Sequence, residues 1–463
     1  MQSVIDSLHP IHENLNASVI AIVLIAGLGR CFGLPASKAL RAAFTVGAGL
    51  VGLGVMAELL ESALAPAVRA IIENAGLTAE RIDIGEPPFA AIVSASKIGA
   101  MILPLGAAVN LLMLATNTTR TINADIIGYR HFAYAGIMVQ YASGSYPLGL
   151  AAAALNMAVV LIIADRMAPR LERCAGLRGL SMPHGFTAAF VPVAFVANKI
   201  VEYLPGLNRP KADMDAIQKR LGVFGEPAFI GFAFGLICAL LAGIGEPETV
   251  SISEFAADAL ANAMLMSAAF ALTPKLLAFL MEGVRPVAEA AEALARRRFK
   301  HRGVMHIGMD AVCALGHPLV LACTPILTLL SVFLAAILPG NRILPFAGLA
   351  IIPYVLAAVL PVTGGALFRS LIVGALTTAV MLYCGSGLAD LFMQAAADAG
   401  AESYADYADG FASLRGSNPL VLLSVALSRL RGAGIAIMAA ITLFLALENR
   451  GIIIEEAKKS DGV

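Results

Sequence analysis

The stretch GVMHIGMDAVCALGHPLVLACTPILTLLSVFLAAIL, Gly303 to Leu338, continued by PGNRILPF to Phe346, decides how this chain is read. Its first 36 residues carry one formal charge, Asp310, whereas a helix needs only about 20 to cross the hydrocarbon core of a bilayer. One span cannot use it all. Pro318 to Leu338 is uniformly apolar and long enough to cross, while the part before it is interrupted by His306, Asp310, Gly316 and His317 and ends at a proline. The expected structure is a short broken or re-entrant segment followed by a full span. Non-helical backbone at membrane depth persists only where protein or a water-filled cavity satisfies its N–H and C=O groups, so such a segment usually lines a transport site.

Composition sets the class. With 59% apolar residues, 14% charged and a mean hydropathy of +0.82, a soluble globular protein is excluded, and an all-α polytopic membrane protein is expected. The zero net charge and the lack of a basic domain argue against a nucleic-acid partner. Six cysteines are scattered without paired metal spacing and read as small buried hydrophobes. The polar N-terminus lacks the basic start of a cleaved signal peptide.

Loops then orient the chain. The basic connections Arg30 to Arg41, Asp165 to Ser181, Arg209 to Arg220 and Glu282 to Arg302 are expected in the cytoplasm, and the acidic connections Glu246 to Asp258 and Gly385 to Ser417 outside. The run Phe132 to Ala164, broken at Gly144-Ser-Tyr-Pro147, reads as two short crossings, and Pro183 to Tyr203 as re-entrant or interfacial. The count is about eleven crossings in a single transmembrane domain: a first half over 17–164, a second over 183–384 and a last span over 430–448. Oppositely oriented halves are the arithmetic of an inverted-repeat transporter.

Polar residues inside apolar runs are the functional candidates, because ionisable groups in a membrane are costly and face cavities or partners. His131, His184, His306 and His317 border or interrupt such runs. Asp310 and His317, seven apart, share a face if the segment stays helical, and His306 and Asp310, four apart, equally fit a private structural pair. Glu86 and Glu226 each precede a proline at the entry to an apolar run, where helix capping is the competing explanation. Asn110 lies deep in its run, Asn123 and Asp125 just past it, and Gln140 before the Gly144 break; amides and carboxylates of this kind suit a polyhydroxylated ligand. There is no phosphate-binding loop, zinc-spaced histidine pair or nucleophile elbow, so no metal or cofactor is expected and the driving energy comes from a gradient or a separate protein.

Several motifs, in order along the chain, resemble the membrane (IIC) component of galactitol-type phosphotransferase systems, in the ascorbate-galactitol superfamily. They include Val46-Gly-Ala-Gly-Leu-Val-Gly52, Asn123-Ala-Asp125, Met182-Pro-His-Gly185, Leu204-Pro-Gly-Leu-Asn-Arg209, Phe224-Gly-Glu-Pro227, Ile307-Gly-Met-Asp310, Leu315-Gly-His317 and Leu338-Pro-Gly-Asn341. The resemblance implies a homodimeric elevator with scaffold and core domains and re-entrant hairpins, in the bacterial inner membrane among its lipids. It also implies a IIB protein that carries the phosphoryl group on a cysteine, passes it to a sugar alcohol at the cytoplasmic side, and is recharged by a IIA protein. On that basis His184, Glu226, Asp310 and His317 line the sugar site, with Asp310 and His317 as the catalytic pair and either Asp310 or a histidine accepting the hydroxyl proton; Asn110, His131, Gln140 and Glu86, from the reading of polar residues above, are the further contacts. Ile84-Gly-Glu-Pro-Pro88 and Ile126-Ile-Gly-Tyr129 depart from the family's aromatic-rich pattern, which leaves the choice of sugar open. The competing reading is an ion-coupled secondary transporter of a polyhydroxylated solute.

Overall fold

A computed structural model describes residues 17–203, 222–243, 251–298, 304–400 and 410–460. The motif Leu204 to Arg209, the basic connection Arg209 to Arg220 and the acids Glu402, Asp406 and Asp409 lie outside them. The first half contributes α1 (Ala17–Cys31), α2 (Ala36–Asn74), β1 (Arg81–Asp83), α3 (Glu86–Ser94), α4 (Lys97–Ala115), β2 (Thr121–Asn123), α5 (Tyr129–Ser143), α6 (Tyr146–Ala175), β3 (Leu180–Ser181) and α7 (Gly185–Tyr203). The rest contributes α8 (Pro227–Ala242), α9 (Ile252–Arg298), β4 (His306–Gly308), α10 (Pro318–Ile337), β5 (Ile343–Pro345), α11 (Ile352–Thr363), α12 (Leu367–Asp398), β6 (Phe411–Ala412), α13 (Pro419–Ser428) and α14 (Gly432–Ser460). Among the described residues eight helices are long and apolar enough to cross a membrane, and four apolar helices are shorter. The protein is therefore a polytopic membrane protein.

The all-α expectation needs one correction. Six strands of two or three residues form two parallel sheets, ordered β5-β1-β6 and β2-β4-β3. Ile82 pairs with Leu344 on one side and Phe411 on the other; Ile307 pairs with Ile122 and Leu180. Helices that break within an apolar layer leave N–H and C=O groups without partners, and water is not there to take them. These strands solve the problem for one another, edge to centre.

Two buried carboxylates hold the sheets in place. Asp83, fully buried at the end of β1, accepts from the N–H groups of Gly85 (3.2 Å), Gly348 (3.0 Å) and Leu414 (3.0 Å), so one side chain ties the ends of all three strands together. Asp165 on α6 accepts from Arg120 N–H, Thr121 Oγ1 and Asn449 Nδ2, which fastens β2 to α14.

The decisive stretch is broken as expected: β4, a 3-10 turn over Ala311–Ala314, then α10. The helical spacings proposed for His306, Asp310 and His317 do not apply, because the first lies in a strand and a 3-10 turn follows. Gly144 ends α5 in a left-handed conformation (φ 68°), which turns the long Phe132 to Ala164 run into two helices. Gly185 to Tyr203 is one 19-residue helix, apolar and long enough to cross by length and composition. A loop expectation fails. Glu282 to Arg298, read as loop, continues α9 to 47 residues, because the charged stretch carries strong helix formers and Pro286 leaves the helix unbroken. Helix α9 packs against α2 through glycines: a Cβ on Gly283 would come within 2.7 Å of the Ala42 carbonyl, and one on Gly49 within 2.7 Å of Leu280 Cβ. Together α1, α2, α8 and α9 form one packed group of helices.

Candidate functional site

Parallel strands bring their C-terminal ends to one edge, where open α/β sheets commonly place ligands. In the β2-β4-β3 sheet each strand is followed closely by an ionisable residue: Asp125 two after β2, Asp310 two after β4 and His184 three after β3. One ligand-type atom from each lies within 4.8 Å of the others, and all three side chains are buried. Asp125 Oδ1 accepts from Gly128 N–H (2.8 Å) and Asp310 Oδ1 from Val312 N–H (2.7 Å). The second oxygen of each carboxylate has no hydrogen-bond partner among the described residues.

Two carboxylates and an imidazole have the composition of a divalent-metal site, but the tautomer argues otherwise. His184 Nδ1 accepts from Thr187 N–H at 3.3 Å, so the proton of the neutral ring sits on Nε2, which then donates a hydrogen bond and has no lone pair for a metal. The group is built to exchange hydrogen bonds. Two buried carboxylates, each with one oxygen that has no partner among the described residues, thus lie beside one imidazole.

Aromatic rings surround it. His131 lies edge-on to His184 with ring centroids 4.7 Å apart, Tyr354 is 5.0 Å from His184, and Phe89 is 5.0 Å from His131. His131 Nδ1 is also without a partner among the described residues.

The tip of the other sheet meets this one across Tyr354 and Phe89. Glu86, three residues past β1, opens α3; Arg415 stands three residues past β6; Arg130 enters from α5. The Glu86 carboxylate takes both guanidiniums, Arg130 at 2.6 Å through Oε1 and Arg415 through Oε2. The Arg415 guanidinium lies 5.9 Å over the Tyr354 ring, which contacts His184 on the other sheet's side. Arg130 and Glu86 keep 30% and 31% of their side-chain surface exposed, and Arg415 20%.

Of the residues expected from sequence, His184, Asp310, His131 and Glu86 come together here. The others take different positions. Asn110 is buried and braces β2, donating to the Thr121 carbonyl (2.9 Å) and accepting from Asn123 N–H (3.0 Å). His317 caps α10: Nδ1 accepts from Leu319 N–H (3.2 Å) and Nε2 meets the Cys174 carbonyl (3.1 Å). Glu226 is exposed at the N-cap of α8, and Gln140 is half-buried in the last turn of α5. Sequence reasoning left Asp125 outside its site and missed Arg130, Tyr354 and Arg415. Asp125 had a visible signal: Ile122-Asn-Ala-Asp125 repeats the Ile-x-x-Asp spacing of Ile307-Gly-Met-Asp310. Arg415 had none, since it sits in a turn that reads as an outside loop.

A model of the family of PTS system sugar-specific permease components matches residues 13–406. A putative permease IIC component of Escherichia coli (strain K12) is 33% identical over 387 residues, covering 84% of this chain and 86% of the relative. PTS system galactitol-specific EIIC components of Escherichia coli K12 and O157:H7 are each 32% identical over 388 residues, 84% of either chain.

Proposed function

The chain belongs to the PTS system sugar-specific permease components, and from that premise we propose that it carries galactitol or a close sugar alcohol across the bacterial inner membrane as a separate IIB protein phosphorylates it. One observation carries the proposal: Asp125 and Asp310, buried and each with one unpaired oxygen, lie together with His184, whose ring packs against His131 and Tyr354. Vicinal hydroxyls are donors and acceptors at once. They donate to Asp125 Oδ2 and Asp310 Oδ2 and accept from His184 Nε2–H, while the C–H faces of the carbon chain lie on His131, Phe89 and Tyr354. A buried acceptor left unmade costs about 1–3 kcal/mol, so the site discriminates in favour of a ligand with correctly spaced hydroxyls.

In the transfer step the polyol hydroxyl loses its proton to Asp310 Oδ2, its oxygen forms the new P–O bond, and the P–S bond to the IIB cysteine breaks with release of thiolate. His317 acts here as a positioning residue, holding the turn between Asp310 and α10. IIA recharges IIB. The arrangement of strands supports an inverted repeat: β1 is flanked by β5 and β6 from later in the chain, and β4 by β2 and β3 from earlier in it. The α1, α2, α8 and α9 group is the proposed scaffold of a homodimeric elevator, and the eight long and four shorter apolar helices accommodate about eleven crossings.

Membrane vesicles with purified IIA and IIB test the reading. Galactitol is expected to enter only with phosphoenolpyruvate present and to accumulate as its phosphate; uptake of free galactitol driven by an ion gradient would overturn it.

A further inference from the structure

The hydroxyl-binding carboxylates account for one end of the site; the Arg130–Glu86–Arg415 cluster at the other end is not explained by a neutral polyol. A sugar alcohol has no charge to offer two guanidiniums. Yet both are gathered around a single carboxylate, one from each sheet's side. The contacts run from Arg415 over Tyr354 (5.9 Å) and from Tyr354 to His184 (5.0 Å), so a single ring separates the guanidinium from the group formed by His184, Asp125 and Asp310. Asp310 and Glu61 also lie within coulombic range of Arg415.

We propose that Arg130 and Arg415 form a phosphoryl subsite, which Glu86 fills with its own carboxylate until a phosphate group displaces it. The inference rests on the proposed function and assigns the second half of its site. A guanidinium presents planar paired donors that match the oxygens of carboxylate and phosphate alike. Glu86 therefore holds the two arginines apart at a spacing that an anionic tetrahedral group inherits. A phosphomonoester brings close to two negative charges where glutamate brings one, so it competes for both guanidiniums. In the transfer step the arginines take the charge that spreads over the transferring phosphoryl oxygens. The proton leaves toward Asp310, on the opposite side of Tyr354. Glu86, whose side chain is already 31% exposed, turns outward once displaced.

Binding in lipid nanodiscs tests this with two probes, galactitol 1-phosphate and inorganic phosphate, each measured beside galactitol. Arg415→Gln and Arg130→Gln are expected to weaken galactitol 1-phosphate about 10- to 100-fold, the worth of one charge-assisted hydrogen bond, and at least tenfold more than they weaken galactitol. Glu86→Gln removes the competitor and is expected to tighten both phosphate probes. Arg415→Lys keeps the charge without the fork and falls between, which separates anion binding from loss of fold. Equal loss of galactitol and its phosphate in both arginine variants, or unchanged phosphate binding, would overturn the subsite. If the wild type ignores galactitol while phosphate binding still depends on both arginines, the sugar assignment falls and the subsite stands.

Discussion

Replacing Asp83 by Asn tests whether the sheet tips, and not only the residues that touch ligand, make the site. The two side chains have the same shape, but one acceptor oxygen becomes an NH2 group. Asp83 Oδ1 serves Gly85 and Leu414, and Oδ2 serves Gly348. Asn keeps the first two bonds and sets a donor against Gly348 N–H. The loss is one charge-assisted hydrogen bond plus a buried N–H left unpaired, partly offset because no charge is buried any longer; about 2–4 kcal/mol remains. The segment freed is the turn from β5 into α11, so Tyr354, at the start of α11, loses its registration with Arg415 and His184. With no tryptophan in the chain, unfolding is best followed in detergent with a thiol-reactive dye, since Cys313 and Cys323 are buried. The variant is expected to melt several degrees lower and to bind galactitol 1-phosphate more weakly. Wild-type melting together with wild-type affinity would refute the idea that Asp83 pins this sheet.

Other outcomes follow from the same contacts. Asp310→Asn and Asp125→Asn each remove one carboxylate acceptor and are expected to weaken galactitol about 10- to 100-fold by calorimetry; the Asp310 variant alone is expected to lose phosphoryl transfer beyond its loss of binding. Asn449→Ala deprives the Thr118 carbonyl and Asp165 of a donor, at a cost of about 1–3 kcal/mol read as a lower melting temperature. Gly283→Val drives a side chain into the Ala42 carbonyl on α2 and is expected to cost about 1–3 kcal/mol, with no change in galactitol affinity for the fraction that remains folded.

Much of the fold was written in hydropathy and punctuation. The glycine break at Gly144, the polar caps before Pro318 and Pro419, and the apolar run of α10 are local signals, and each corresponds to a helix boundary. The sheets were not legible for a physical reason. A strand of two or three residues has no period to detect, and its partners lie in the other half of the chain. His184 and Asp310 stood out because charge is rare in apolar sequence, and Glu86 because it precedes prolines. Arg415 did not, since the turn around it looks like an exposed connection until β6 pairs with β1. Charge misled the reading of α9, whose basic end marks an extended helix and not a loop.

The pairing of strands across halves also bears on how the chain is made. Asp83 finds its partners at Gly348 and Leu414, 265 and 331 residues further along, and a ribosome working at about 5–20 residues per second takes tens of seconds to supply them. Through that interval the nascent β1 has neither of its neighbours, so the insertion machinery or lipid headgroups must shelter its backbone. The site is consequently among the last parts of the molecule to be assembled, and a chain cut short before Phe411 is expected to enter the bilayer as helices yet never bring Arg415 beside Glu86.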